Sequence, residues 1–319
     1  MKKPHTSKDR IIIIVSIITV LLVAACNKTD KIPNQDQYKK GEDGLVFDFI
    51  KGAPPEKAYE DSKFSIGLNL RNKGGYDISQ GIVVLGLEKD YMEASPAKQT
   101  FDLKGKSLYS PAGDFALLQF EANTKLIEAM SERHKSTVIA TSCYRYAAET
   151  VQNVCIDADV LRTRPGKKVC EVQDITLTDQ GGPIAITKIE QRTIPKGDNK
   201  IQVEFTIMIT NKGKGSPVDA YAIDKACGAS GPTLEDRYWN LVRLKMFKLS
   251  GVWFYNGISD ESSVVCRPEP VRLENNEGKI VCTTNEFSPD SSYVTQLMLQ
   301  LEYGYVESKS VVVEIIRKA

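Results

Sequence analysis

An internal duplication is the feature that most constrains the fold. Residues 64–74 (FSIGLNLRNKG) alternate apolar and polar side chains and end in Asn-Lys-Gly, and residues 203–213 (VEFTIMITNKG) repeat the pattern 139 positions later. Strict alternation predicts a β-strand with one buried face, and the glycine supplies the positive φ that a tight turn requires. The chain therefore contains two copies of one β unit.

A second pair of similar segments closes each copy. Residues 138–156 and residues 297–315 share a Tyr-x-Tyr pair followed by a short apolar segment, now at an offset of 159. We interpret each segment as a hairpin, which in the first copy turns near residue 149, and the larger offset as about 20 residues inserted in the second copy. The recurrence of the tyrosines indicates a structural role for Tyr144, Tyr146, Tyr303 and Tyr305.

Short strands separated by Gly and Asn turns, without long helical periodicity, predict an all-β protein. We expect two tandem immunoglobulin-like β-sandwiches, formed by residues 44–161 and 170–319. The basic, Pro- and Gly-containing residues 162–169 are the predicted linker between them.

The N-terminus has the layout of an export signal. Basic residues precede an apolar run from Ile11 to Ala25, which would span only about 22 Å as a helix, against a hydrocarbon core of about 30 Å. The run ends in Val-Ala-Ala-Cys26, which resembles the lipobox of prokaryotic lipoproteins, with Cys26 as the lipidated residue. We predict a signal peptide at residues 1–25 and a polar tether at 26–43; a retained short anchor and an ordinary signal are the alternatives.

Six cysteines remain after Cys26, and an even number behind an export signal predicts three disulfides. If the first-copy hairpin turns about residue 149, Cys143 and Cys155 become cross-strand partners. Cys266 and Cys282 flank an Asn-Asn-Glu-Gly turn and form the second expected pair. This leaves Cys170 with Cys227 as the third pair.

Several functional classes are disfavoured by composition. The net charge of +1 argues against nucleic-acid binding, and two histidines with no C-x-x-C argue against a metal site or cofactor. Nucleophile-elbow, Walker A, HExxH and dinucleotide motifs are missing, so we nominate no catalytic residue. His134 lies in a charged run that we interpret as solvated loop. A glycosidase stays open, because it needs only two carboxylates.

Two sets of residues are candidate binding groups. Trp253 and Tyr255 would share one face of a strand, where they could stack on sugar rings or anchor a partner protein, although core packing is the commoner role of such residues. Asp157 and Asp159 could contribute oxygen ligands to calcium, or remain simply solvated.

A resemblance to a family is carried by four segments, residues 44–55, 64–77, 143–155 and 181–188. They resemble a group of uncharacterised archaeal-type surface lipoproteins. The resemblance extends from about residue 44 to the C-terminus. It implies tandem Ig-like or CARDB-like sandwiches, and it implies no activity, cofactor or catalytic residue.

These patterns together predict a non-enzymatic cell-surface lipoprotein, held outside the cytoplasm by the lipid on Cys26. Its role would be structural, adhesive or protein-binding. A carbohydrate-binding module and an accessory subunit of a pilus or secretion-type membrane complex are the alternatives.

Overall fold

The computed structural model describes residues 38–162, 168–197, 199–228, 234–249, 253–255 and 263–318. Within these ranges the chain is all-β, as predicted, with one short helix α1 (Ile223–Ala226) and one 3₁₀ turn (Asp236–Tyr238). None of the helices in the described part is long and apolar enough to span a membrane.

Each half of the chain contributes a series of strands. The first half forms β1 (Leu45–Phe49), β2 (Lys57–Tyr59), β3 (Lys63–Asn72), β4 (Ile78–Gly86), β5 (Met92–Ala94), β6 (Lys98–Leu103), β7 (Phe115–Thr124) and β8 (Arg133–Ile156). The second half forms β9 (Ile175–Thr176), β10 (Ile184–Gly197), β11 (Lys200–Asn211), β12 (Ser216–Val218), β13 (Leu241–Leu249), β14 (Trp253–Tyr255), β15 (Val264–Arg267), β16 (Val271–Arg272), β17 (Glu277–Thr284) and β18 (Tyr293–Ile316).

The strands form three sheets. A first small sheet has the order β1-β3-β7-β5, and a second has the order β15-β17-β11-β10-β9. The large sheet has the order β14-β13-β18-β8-β4-β6, with β2 and β12 attached to β18 and β16 attached to β13. Each small sheet comes from one half of the chain, whereas the large sheet takes strands from both halves.

One long strand pair forms the centre of the large sheet. Strands β8 and β18 have 24 residues each and pair antiparallel over their whole length, from Arg133 opposite Ile316 to Ile156 opposite Tyr293. The predicted hairpins are therefore wrong, because β8 continues straight through residue 149. The alternation of buried and exposed residues is not interrupted there, as buried Ala148 and Thr150 show.

The main core lies on one face of this strand pair. A single hydrophobic cluster joins side chains of the large sheet, such as Tyr146, to Phe47 of the first small sheet and Phe205 of the second. Both halves thus share a sheet and a core. The division into two sandwiches at residues 162–169 stays a prediction.

The internal duplication is confirmed by equivalent strand pairing. Leu45 pairs with Asn72 between β1 and β3, and Ile184 pairs with Asn211 between β10 and β11, both at the predicted offset of 139. The extra residues of the second copy are residues 219–240, between β12 and β13. We call residues 219–240 the insertion. At the corresponding place in the first copy, β4 continues with only a register shift.

Candidate functional site

Four buried tyrosines occupy the middle of the β8–β18 pair on the core face. Their rings form a closed cycle, with centroid distances of 5.6 Å (Tyr144–Tyr146), 6.2 Å (Tyr146–Tyr303), 6.3 Å (Tyr303–Tyr305) and 5.9 Å (Tyr305–Tyr144). Most of these contacts are edge-on, the geometry that aromatic pairs prefer. Burial raises the pKa of all four phenols.

The tyrosine hydroxyls have equivalent partners in the two copies. Tyr146 donates to Asn72 Oδ1 at 3.1 Å, and Tyr305 donates to Asn211 Oδ1 at 3.1 Å. The hydroxyls of Tyr144 and Tyr303 accept hydrogen bonds from the backbone N–H of Leu45 and of Ile184, respectively. These bonds connect both small sheets to the central pair, which confirms the structural role predicted for the tyrosines.

The insertion covers the opposite face of the same strand pair. Because side chains alternate along a strand, Cys143 and Val306 point away from the tyrosines. They form a second, smaller core with Ile223, Cys227 and other insertion residues. The Cys143–Cys227 disulfide, with a Cα–Cα distance of 6.1 Å, fastens the insertion to β8.

The disulfides differ from two of the three expected pairs. They join Cys143 to Cys227, Cys155 to Cys170, and Cys266 to Cys282. The Cys266–Cys282 pair was predicted correctly and links directly opposed residues of β15 and β17. The Cys143–Cys155 pairing is wrong, because both residues lie on one extended strand, where 12 residues span about 40 Å. The Cys170–Cys227 pairing fails with it.

An arginine stacked on an exposed tyrosine marks the surface of the insertion. Arg243 donates to both carboxylate oxygens of Asp219, at 3.1 and 2.6 Å, and its guanidinium lies 5.1 Å from the ring centroid of Tyr221. Tyr221 is 67% exposed. Burial opposes ionisation of Asp219, but hydrogen bonds from Arg243 and from the Tyr221 N–H hold its pKa below the usual value.

Glu269 lies beside this arginine and is mostly buried. It accepts a hydrogen bond from the Leu244 N–H at 2.9 Å and lies 3.8 Å from Arg243. Burial dominates over both contacts and raises the pKa of Glu269 to about 7. This carboxyl group therefore titrates near neutral pH.

A second arginine–tyrosine stack lies in the same insertion. The guanidinium of Arg237 is 4.9 Å from the ring centroid of Tyr238. Arg272 donates to the backbone carbonyls of Arg237 and Trp239, each at 2.7 Å, which fixes this turn. Tyr221 is thus the exposed tyrosine of the two stacks, whereas Tyr238 is half-buried against the smaller core. The extra length of the insertion was a signal in the sequence, but no local motif distinguishes Tyr221 or Tyr238.

Two of the predicted sites lie wholly or partly outside the described residues. Trp253 and Tyr255 lie in β14, opposite Leu249 and Phe247 of β13, but their side chains are outside the described part, so their binding role stays a prediction. Cys26, the signal peptide and the tether up to residue 37 also lie outside the described residues.

His134 lies on β8 and not in a solvated loop, so that interpretation is wrong. Its ring stacks on the ring of Tyr91 with the two centroids 3.6 Å apart, and its Nε2 lies 3.2 Å from Glu88 Oε2. Ser136 also donates to Glu88, at 2.7 Å. A hydrogen bond to Glu128 raises the pKa of Tyr91 to about 12. These contacts tie β8 to neighbouring loops.

Asp157 forms an ion pair. Its Oδ2 accepts a hydrogen bond from Lys168 at 2.6 Å, and its Oδ1 accepts one from Ser292 at 3.1 Å. Among the described residues, no group of three or more His, Cys, Asp or Glu side chains could hold a metal ion.

No protein-family model and no curated protein matches the chain.

Proposed function

We propose that the chain is a non-enzymatic surface lipoprotein, anchored to the membrane through Cys26, that binds another protein through its insertion. The observation that carries the proposal is that residues 219–240 occur in only one copy of the duplicated unit. The first copy forms the equivalent strands without them. The scaffold therefore does not require the insertion, which leaves its surface available for binding.

The composition of the insertion and the contacts of its described residues support a binding role. Tyrosine, tryptophan and arginine supply much of the energy at protein interfaces, and two arginine–tyrosine stacks are present here. The Cys143–Cys227 disulfide and the small core beneath hold the surface in place. A surface that is ordered before binding loses less conformational entropy when a partner docks.

The compartment is consistent with this proposal. Three disulfides suggest an oxidising, extracytoplasmic environment, which fits an exported protein.

The contacts near residue 40 define where a tether from Cys26 would reach the fold. The Gly181 N–H donates a hydrogen bond to the carbonyl of Gly41, and the hydroxyl of Tyr146 lies 3.4 Å from the carbonyl of Gly181. The Lys39 ammonium group also pairs with Glu149 of β8, at 3.2 Å. Residues 39–41 therefore lie beside β8, close to the hydroxyl of Tyr146.

The anchor is tested by lipid labelling of the Cys26→Ala variant. We expect wild-type protein and a Cys227→Ser control to incorporate labelled fatty acid, and Cys26→Ala to remain an unlabelled, larger precursor. Normal labelling of Cys26→Ala would contradict the anchor.

The binding surface is tested by photo-cross-linking on intact cells. A photoreactive amino acid replaces Tyr221 in one variant and Lys248, an exposed residue of β13, in a matched control. We expect a discrete cross-linked product from position 221 that is missing from position 248. Equal products at both positions, or none at 221, would show that the insertion is not the binding surface.

A further inference from the structure

A patch of basic and apolar side chains surrounds the top of the first small sheet. Its apolar members are Leu108, Tyr109, Phe115 and Leu117, and its basic members are Lys40, Arg71, Lys73, Lys104 and Lys106. We call these residues the basic–apolar patch. Tyr109 is 94% exposed, and Phe115 and Leu117 are 62% and 63% exposed. Such a concentration of exposed large apolar groups is typical of an interaction surface.

Backbone hydrogen bonds hold the members of the patch together. Asp114 donates to the carbonyl of Lys104 at 3.0 Å, and Lys106 donates to the carbonyl of Gly74 at 2.7 Å. The loop that carries Leu108 and Tyr109 therefore lies beside the ends of β3 and β7. Arg71 lies near the end of β3, and its guanidinium carbon is 5.6 Å from the ring centroid of Phe115.

The second copy shows that the fold does not need apolar groups at these positions. Phe115 pairs with Arg71 on the outer face of the first small sheet, and the duplicated position is Glu277, paired with Thr210. By the same correspondence, Leu117 is replaced by Lys279. Because charged residues occupy the equivalent strand positions in the second copy, the fold does not require Phe115 and Leu117 to be apolar.

The cations of the patch are not neutralised within the described residues. None of the basic members forms an ion pair there. Carboxylates also lie nearby: Asp77 accepts a hydrogen bond from the Gly105 N–H, Asp114 accepts one from the Lys104 N–H, and Asp48 pairs with Lys309. The five basic members of the patch outnumber these three carboxylates. The patch therefore presents excess positive charge around its apolar centre.

The patch adjoins the place where the tether enters the fold. The Lys106 ammonium group donates to the carbonyl of Lys40 at 3.4 Å. Cys26 and Tyr38 are 12 positions apart, so even a fully extended chain would span at most about 40 Å between them. An anchor on Cys26 would therefore keep this surface within reach of the lipid headgroups.

We propose that the basic–apolar patch is the surface on which the protein lies against an anionic lipid membrane; this proposal rests on the proposed anchor. Tyrosine and other aromatic side chains favour the membrane–water interface, and lysine and arginine side chains are attracted to an anionic lipid surface. The patch combines both groups beside the tether. The patch therefore suits an anionic lipid surface better than it suits a purely apolar partner.

The experiment uses the full chain incorporated into vesicles and carrying an environment-sensitive fluorophore at Tyr109→Cys or, as the matched control, at Tyr221→Cys. Vesicles contain phosphatidylcholine alone or with 30% phosphatidylglycerol and brominated lipid as quencher. In anionic vesicles we expect at least twofold quenching at position 109 and none at position 221. High salt and neutral vesicles should reduce the quenching at 109.

Charge reversal separates the patch from the rest of the surface. Lys73→Glu combined with Lys104→Glu should abolish the quenching at position 109, whereas Lys135→Glu combined with Lys248→Glu, on the outer face of the large sheet, should not. Two results would overturn the membrane role of the patch but not the anchor. One is equal quenching at positions 109 and 221, and the other is a fluorophore at position 109 that stays in water although the protein is bound to the vesicles. A chain that does not float with vesicles at all would contradict the anchor and the patch together.

Discussion

Arg145 lies directly opposite Gly304 in the β8–β18 pair, and the two residues are also each other's counterparts in the duplication. The offset of 159 that relates the two long strands connects these same positions. The pair therefore marks a pseudo-two-fold axis through the centre of the large sheet. The insertion breaks this symmetry, because Arg145 pairs with Asp224 whereas Gly304 lies under α1.

We predict that Gly304→Ala loosens the insertion. A Cβ at this position would lie 2.7 Å from both Ile223 Cδ1 and Val218 Cγ2, so α1 would have to shift. Overpacking of this kind costs about 1–3 kcal/mol. Hydrogen exchange of residues 219–228 should accelerate, while β3 and β11 keep their protection. Gly86→Ala, where the nearest atom would be 3.6 Å away, is the control and should change neither.

Tyr146→Phe should destabilise the protein by about 1–3 kcal/mol. The substitution removes the hydroxyl that donates to Asn72 Oδ1 and accepts from the Tyr76 N–H, which leaves buried polar groups with fewer partners. Denaturant unfolding measures the loss. Tyr59→Phe, at a 60% exposed ring, serves as the comparison and should be close to neutral. Equal effects from both substitutions would mean that the tyrosine hydroxyls do not connect the sheets.

Peptide mapping without reduction should recover Cys143 linked to Cys227 and Cys155 linked to Cys170. In the chain-entropy model, a closed loop of about 85 residues stabilises a protein by about 4–5 kcal/mol and one of about 17 residues by about 3 kcal/mol. Replacing Cys143 and Cys227 by serine should therefore lower the free energy of unfolding more than replacing Cys266 and Cys282. A linked Cys143–Cys155 peptide would contradict the continuous β8 strand.

Stability should depend on pH through Glu269. Its pKa is about 7 in the folded protein, against a usual value of 4.5, so between these values the folded state binds more protons than the unfolded state. The free energy of unfolding should then fall as pH rises from about 4.5 to about 7 and level off above. Glu269→Gln keeps an acceptor for the Leu244 N–H and should flatten this slope. Glu274→Gln, at an exposed position, should leave the slope unchanged.

The duplication and the Cys266–Cys282 pair could be predicted because both rest on local patterns. Alternation defined the repeated strands, and the Asn275–Asn276 turn, with positive φ at both residues, brought the two cysteines together. The long strands were divided wrongly because two short repeated segments suggested a turn, although the residues between them contain no Gly or Pro. The Cys143–Cys227 pair could not be predicted from the sequence, since it depends on how the insertion folds back across the sheet.

The β8–β18 pair makes the chain equivalent to a homodimer whose two subunits have been fused. A half released on its own would expose an unpaired edge 24 residues long, which is a template for pairing with other chains. The same pairing could form between the first half of one molecule and the second half of another. Refolding at high protein concentration should therefore produce domain-swapped dimers that have the pairing of the monomer, and dilute refolding should suppress them.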